Sequence, residues 1–170
     1  DQRERIIPSQ AEIDRVAANV GYQHLVLHLD QTAVQKLRPV SIDLSAIAKG
    51  YAVDMLAQLL QAKGYTSFMV EIGGELLVRG SSPRGTAWRI AIEQPGERMG
   101  TVHQTVSIHQ GAMATSGDYR NYFEVEGQRY SHTIDPRTGR PVKHGLTSVT
   151  VIADNAAFAD AFATACMVMG

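Results

Sequence analysis

The sequence predicts an α+β fold: a mixed, mostly antiparallel sheet packed with about three helices. Two observations point there. Apolar residues recur at helical spacing in only three stretches, residues 10–20, 43–63 and 154–169. Between and after the first two, short alternating or β-branched runs are joined by brief Gly-containing turns, the signature of hairpins rather than of crossover connections.

Each element has a local reason. Ser9 with Glu12 forms an expected capping box ahead of Ile13, Val16, Ala17 and Val20, and Gly21 stops that helix. Residues 24–30 alternate, with Leu25, Leu27 and Leu29 on one face, which predicts a half-buried strand. His24 and His28 share its other face about 13 Å apart at a ~3.3 Å rise, so they read as surface histidines and not as a metal pair. The second helix is expected from Asp43 to Lys63, capped by Asp43 or Ser45, with Ile47, Tyr51, Met55 and Leu59 as its apolar stripe and Gly64 as its stop. Strands are expected at 66–72, 75–79, 88–93, 105–109, 122–126, 129–133 and 147–152, with Gly73-Gly74 as a tight turn. A closing helix over 154–169 is expected to bury Ala157, Phe158, Ala161, Phe162, Ala165 and Met169.

Composition narrows the function. The 170 residues are 44% hydrophobic and carry 16 Lys+Arg against 17 Asp+Glu, a net charge of -1. No cationic excess is available to displace counterions from a nucleic acid. No apolar run reaches the ~18 residues of a membrane span. One cysteine, Cys166, excludes a disulfide framework and multi-thiolate metal sites, and leaves the redox compartment open. The length favours a single domain over 1–170. The apolar run stopping at Gly170 predicts that this domain is a central or C-terminal piece of a longer protein.

Four features carry possible chemistry. The helix opening at 43–52 offers free N–H groups and a positive dipole end, with Lys49 adding a charge one turn in, an arrangement suited to phosphate. Residues 114–119, Ala-Thr-Ser-Gly-Asp-Tyr, read as a polar loop able to present Ser116 and backbone N–H groups to an anion. At 132–141 a strand is expected to deliver His132 and Ile134 to one face before a rigid turn at Asp135-Pro136, which would hold His132 for proton transfer near neutral pH. Asp160 and Thr164 lie at i and i+4 on one face of an otherwise apolar helix. There they cost free energy without a partner, and as hard oxygen ligands they suit Mg²⁺ or Ca²⁺. Singly, each feature also fits a bland reading: a capped helix, a Ser/Gly turn, a hairpin histidine, an exposed Asp with a back-bonded Thr.

Taken together the motifs resemble the ApbE-type FAD:protein FMN transferases. The similar segments are DLSAIAKGYAVD at 43–54, EIGGEL at 71–76, ATSGDYRNYF at 114–123, YSHTIDPRTGRPV at 130–142 and ADAFATA at 159–165. The resemblance implies an ApbE-like fold and an enzyme that binds FAD with Mg²⁺. Such an enzyme transfers FMN to a Thr or Ser hydroxyl of a target protein through a phosphoester bond and releases AMP. It implies metal contacts from the Ala46 carbonyl, Asp160 and Thr164. Lys49, Ala52, Ser116, Ile134 and Asp135 would lie along the cofactor, with His132 assisting catalysis; as proton acceptor, His132 and Asp135 both stay open. The expected partners are FAD and flavin-accepting subunits. The expected location of the full-length protein is the periplasmic side of the inner membrane, through a lipid anchor outside this chain. The alternatives are a non-catalytic FAD-binding module, an FAD pyrophosphatase making FMN and AMP, and a periplasmic scaffold domain.

Overall fold

The computed structural model describes residues 7–96, 100–118, 122–125 and 127–170. Tyr119 of the expected anion loop, residues 119–121 of the 114–123 motif and Glu126 of an expected strand lie outside these. The described residues of 1–43 and 123–143 form one compact unit, and those of 44–122 and 144–170 form another.

The second unit is built on a four-stranded antiparallel sheet. Its strands are β3 (Phe68–Ile72), β4 (Glu75–Arg79), β7 (Gln110–Gly117) and β12 (Ser148–Ala153), in the order β12, β7, β4, β3. Alternation along the strands divides its two faces. One face carries Phe68, Val70, Leu77 and Ala112 and packs on two helices, α2 (Ala48–Ala62) and α3 (Ala156–Met169), through Val53, Ala57 and Ala156. The other carries Leu76, Val78 and Met113. It is covered by Ile90 of β5 (Trp88–Glu93) and Ile108 of β6 (Val102–Ile108), which form a two-stranded ribbon. Trp88 closes one end of this layer by donating its indole N–H to the Arg79 carbonyl at 3.2 Å.

The first unit begins with α1 (Gln10–Ala17). Its capping box is formed as expected: Glu12 N–H donates to Ser9 Oγ at 3.4 Å and Ser9 N–H to Glu12 Oε2 at 2.8 Å. The hairpin of β1 (Leu25–His28) and β2 (Ala33–Lys36) follows. Later come the pair β8 (Tyr122–Val125) and β9 (Gln128–Ser131) and the short pair β10 (Ile134–Asp135) and β11 (Arg140–Pro141). Gly139 turns the last hairpin at φ 65°, and a Cβ there would lie 2.6 Å from Ile13 Cγ2. Only glycine therefore lets α1 sit against this turn.

The α+β class and the mostly antiparallel pairing hold, but several local expectations do not. α2 starts at Ala48, and its N-cap position is Ile47, not Asp43 or Ser45. The stretch before it is a tighter turn, with Ile47 N–H and Ala48 N–H both donating to the Leu44 carbonyl. The expected stripe of α2 faces out: Tyr51, Met55 and Leu59 are exposed, while Gly50, Val53 and Ala57 are buried. In α3 the same inversion occurs. Ala156, Ala159, Asp160, Ala163 and Met167 are buried, whereas Phe158 and Phe162 stack on each other at 5.3 Å on an exposed face. Close approach of two helices and a sheet selects the smallest side chains, which outranks hydrophobicity. Leu27 and Leu29 are exposed as well, and β1 is flanked by single 3₁₀ turns at Tyr22–His24 and Leu29–Gln31. The expected loop at 114–119 is strand through Gly117, because Ala112 and Ala114 fit beneath α3. His132 lies in neither β9 nor β10, so no strand delivers it beside Ile134. No helix among the described residues is long and apolar enough to cross a membrane.

Candidate active site

The site grows from the place where α2 meets α3. Gly50 is the third residue of α2, so its N–H has no acceptor within the helix. Here it is donated to Asp160 Oδ2 at 3.0 Å. Asp160, only 3% exposed, is thereby tied to the start of α2. The approach is so tight that a Cβ on Gly50 would collide with the Ala156 carbonyl oxygen. Asp54, one turn after Gly50, accepts the N–H groups of Ala156 and Ala157 at 2.7 and 2.9 Å. Together with Asn155, which accepts from Phe158 N–H at 2.8 Å, it satisfies the first turn of α3 and sets the register between the helices.

One turn beyond Asp160, Thr164 Oγ1 lies 3.1 Å from Ser116 Oγ of β7. Ser116 is therefore not a loop hydroxyl but a strand residue turned toward α3, opposite Val149 in register. Glu75, the first residue of β4, is buried on the same face of the sheet as Leu77 and receives Lys49 Nζ at 2.7 Å. Its other oxygen, Oε2, is buried with no hydrogen-bond partner among the described residues. Burial pushes the Glu75 carboxyl above its ordinary value; Lys49 offsets part of this, and the nearby Asp160 charge adds to it. Lys49 is half-exposed and borders a cavity of about 590 Å³ with Gly73, Gly74, Arg89, Met113 and Thr115. Ala52 follows on α2, half-buried.

The other predicted residues belong to the first unit. Asp135 holds Arg137 in a fork, with Arg137 Nε at 2.9 and 3.2 Å from its two oxygens and Nη2 at 2.9 Å; Arg137 N–H also donates to Oδ1 at 2.9 Å. These bonds hold its carboxyl below the usual range. Ile134 borders an apolar hollow of about 480 Å³ together with Val16, Val20 and Pro136. His132 precedes it by two residues, just after β9.

The structure thus gathers Ala46, Lys49, Ala52, Ser116, Asp160 and Thr164 in one unit, and His132, Ile134 and Asp135 in the other. Gly50, Asp54 and Glu75 were not anticipated as site residues. A carboxylate at the inward position of an apolar strand was the one available signal for Glu75.

As a test of fit, Asp160, Thr164 and the backbone carbonyl of Ala46, which precedes α2, are all hard oxygen donors. They suit Mg²⁺ or Ca²⁺ and leave positions for phosphate oxygens. Among the described residues no three His, Cys, Asp or Glu side chains cluster, so no site of the kind zinc prefers is formed.

The ApbE family model matches residues 1–170. The chain belongs to the ApbE family. It is 46% identical over 167 residues to an FAD:protein FMN transferase of Escherichia coli K12, covering 96% of this chain and 48% of that protein. It is 44% identical over 170 residues to that of Vibrio cholerae, covering 100% and 51%. Among solved structures, the ApbE protein of Thermotoga maritima superposes with a TM-score of 0.89 at 37% identity, over 99% of this chain and 54% of that one. The apo flavinyl transferase ApbE of Pseudomonas stutzeri gives 0.86 at 43%, over 99% and 51%. The chain spans about half the length of these ApbE relatives.

Proposed function

We propose that this chain is the part of an ApbE flavin transferase that grips the diphosphate of FAD through a hard divalent cation, Mg²⁺ being the natural choice. In this reading FMN passes to a Thr or Ser hydroxyl of a target protein. The observation that carries it is the buried Asp160, tied to the opening of α2 through Gly50 with Thr164 one turn on.

The reaction exchanges the phosphoanhydride of the diphosphate for a phosphoester. The acceptor oxygen bonds to the phosphorus on the FMN side, the bridging P–O bond breaks, and AMP leaves with the bridging oxygen. When bound, Mg²⁺ neutralises charge on the diphosphate. The chain's own residues do the rest. Asp160, Thr164 and the Ala46 carbonyl hold the cation, and Ser116 orients Thr164 through their hydroxyl contact. Lys49 adds positive charge, and Ala52 and Ile134 line the nucleotide. The acceptor's proton goes to His132. Asp135 is the weaker base because Arg137 occupies both its oxygens. Its part is to shape the turn beside the cofactor. The full-length protein would act on the periplasmic side of the inner membrane, held there by a lipid anchor.

The test uses the full-length protein with FAD, Mg²⁺ and a flavin-accepting subunit, read as covalent flavin fluorescence in a denaturing gel. A fluorescent acceptor band that needs Mg²⁺ is expected. Free FMN and AMP with no labelled acceptor would replace transfer by FAD hydrolysis. Bound FAD that is never cleaved would leave a binding module.

A further inference from the structure

Glu75 has no role in the reaction as written, yet it is costly. Its side chain is 2% exposed, one oxygen meets Lys49 Nζ at 2.7 Å, and the other has no partner among the described residues. A buried carboxylate with one oxygen unpaired opposes folding. The turn before it is shaped around the pair. Gly73 has φ 61°, and a Cβ there would lie 3.4 Å from Lys49 Cδ and 3.7 Å from Glu75 Oε2. The lysine stem therefore crosses the bare Gly73 backbone to reach the carboxylate, while remaining half-exposed on the cavity that Gly73 and Gly74 also border.

We propose that Glu75 is a positioning residue: it pins the ammonium of Lys49 at the mouth of this cavity and leaves two of its three N–H donors for the diphosphate of the nucleotide. A free lysine loses much rotamer freedom when it grips an anion. A lysine already held by Glu75 has lost it beforehand, so more of the contact energy appears as affinity. The inference rests on the reading of this site as the FAD diphosphate site. Its sign is distinctive. Simple electrostatics predicts that deleting an anion near the diphosphate tightens binding, whereas positioning predicts that it weakens binding.

The experiment measures FAD affinity of the full-length protein with Mg²⁺ by flavin fluorescence, for wild type, Glu75→Gln, Lys49→Met and the double variant. Glu75→Gln is expected to weaken FAD by about 10-fold, the scale for losing a group that orients a ligand contact. It should cause no further loss once Lys49 is Met. Unchanged or tighter FAD binding in Glu75→Gln, or losses that add in the double variant, would overturn the proposal. Should Glu75→Gln fail to fold, Glu75→Asp keeps the charge and withdraws it by one methylene; it is expected to weaken FAD too, and unchanged affinity would overturn the proposal. A second readout separates this from the site's function: the rate of reductive methylation of Lys49 without FAD, mapped by mass spectrometry. If wild type binds no FAD, the functional reading fails by itself; faster methylation in Glu75→Gln then still upholds the anchor, and an unchanged rate removes it.

Discussion

Gly50 donates its backbone N–H to Asp160 Oδ2 at 3.0 Å, across 110 positions of sequence. This bond joins two properties of the site. It requires a residue without a side chain at 50, since the helices touch there backbone to backbone. It also gives the buried Asp160 carboxylate one of the N–H groups that the start of α2 leaves without an acceptor in the helix. The tight helix crossing and the satisfied buried carboxylate thus arise from the same contact.

Asp160→Asn should therefore affect the cation more than the fold. The amide keeps an oxygen able to accept from Gly50 but lacks the charge. Affinity for Mg²⁺, read as the Mg²⁺ concentration that supports FAD binding by full-length protein, is expected to fall more than ~10-fold. The melting temperature should drop only slightly. Unchanged Mg²⁺ dependence would remove Asp160 from the metal site.

Gly50→Ala should do the reverse and act first on the fold. The new methyl meets the Ala156 backbone, which cannot swing aside as a side chain tip would. The cost is expected at about 1–3 kcal/mol, the range for overpacking a filled interior, read from urea unfolding. Metal affinity should fall with it, because separating the helices lengthens the bond to Asp160.

Asp54→Ala isolates the scaffold from the chemistry. Asp54 accepts two N–H groups at the start of α3, so its loss leaves donors unsatisfied at a half-buried helix end. A loss of about 1–2 kcal/mol is expected, as for other cap removals, measured by thermal unfolding. Because Asn155 still accepts from Phe158 N–H, α3 should remain helical by circular dichroism.

These contacts show which parts of the molecule were legible in the sequence. The Ser9–Glu12 capping box was, because all its atoms lie within one turn. Asp160 and Thr164 were, because helical spacing alone puts them on one face. The bounds of β4 and β5 followed from alternation and turns. β7 was not, because Ala112, Met113 and Ala114 have no strong strand preference and become strand only by fitting between β4, β12 and α3. The start of α2 was missed because the stretch before it closes as a tighter turn, with Ile47 and Ala48 N–H both donating to the Leu44 carbonyl. The buried faces of α2 and α3 were misjudged because amphipathic patterning ranks Phe158 above Ala159, whereas close packing favours the alanine. Glu75 escaped notice because its partner Lys49 sits on another element.

The response to pH should separate two carboxylates of opposite environment. Asp135 has its pKa lowered, first by the hydrogen bonds to the Arg137 side chain. Its contribution to stability is present above the usual carboxylate range and is lost as pH falls through the lowered value. Glu75 has its pKa raised from 4.5, first by burial. Folding therefore favours its protonated form; that contribution is present below 4.5 and is lost as pH rises through the raised value. Urea midpoints of wild type and Glu75→Gln, measured at steps from acid to neutral pH, should diverge accordingly. The variant, which carries no buried charge to deprotonate, should gain on wild type as pH rises. Asp135→Asn should give the opposite trend and lose most against wild type near neutrality. Parallel curves for wild type and Glu75→Gln would mean that the carboxylate pays no burial penalty, and that Lys49 compensates its charge in full.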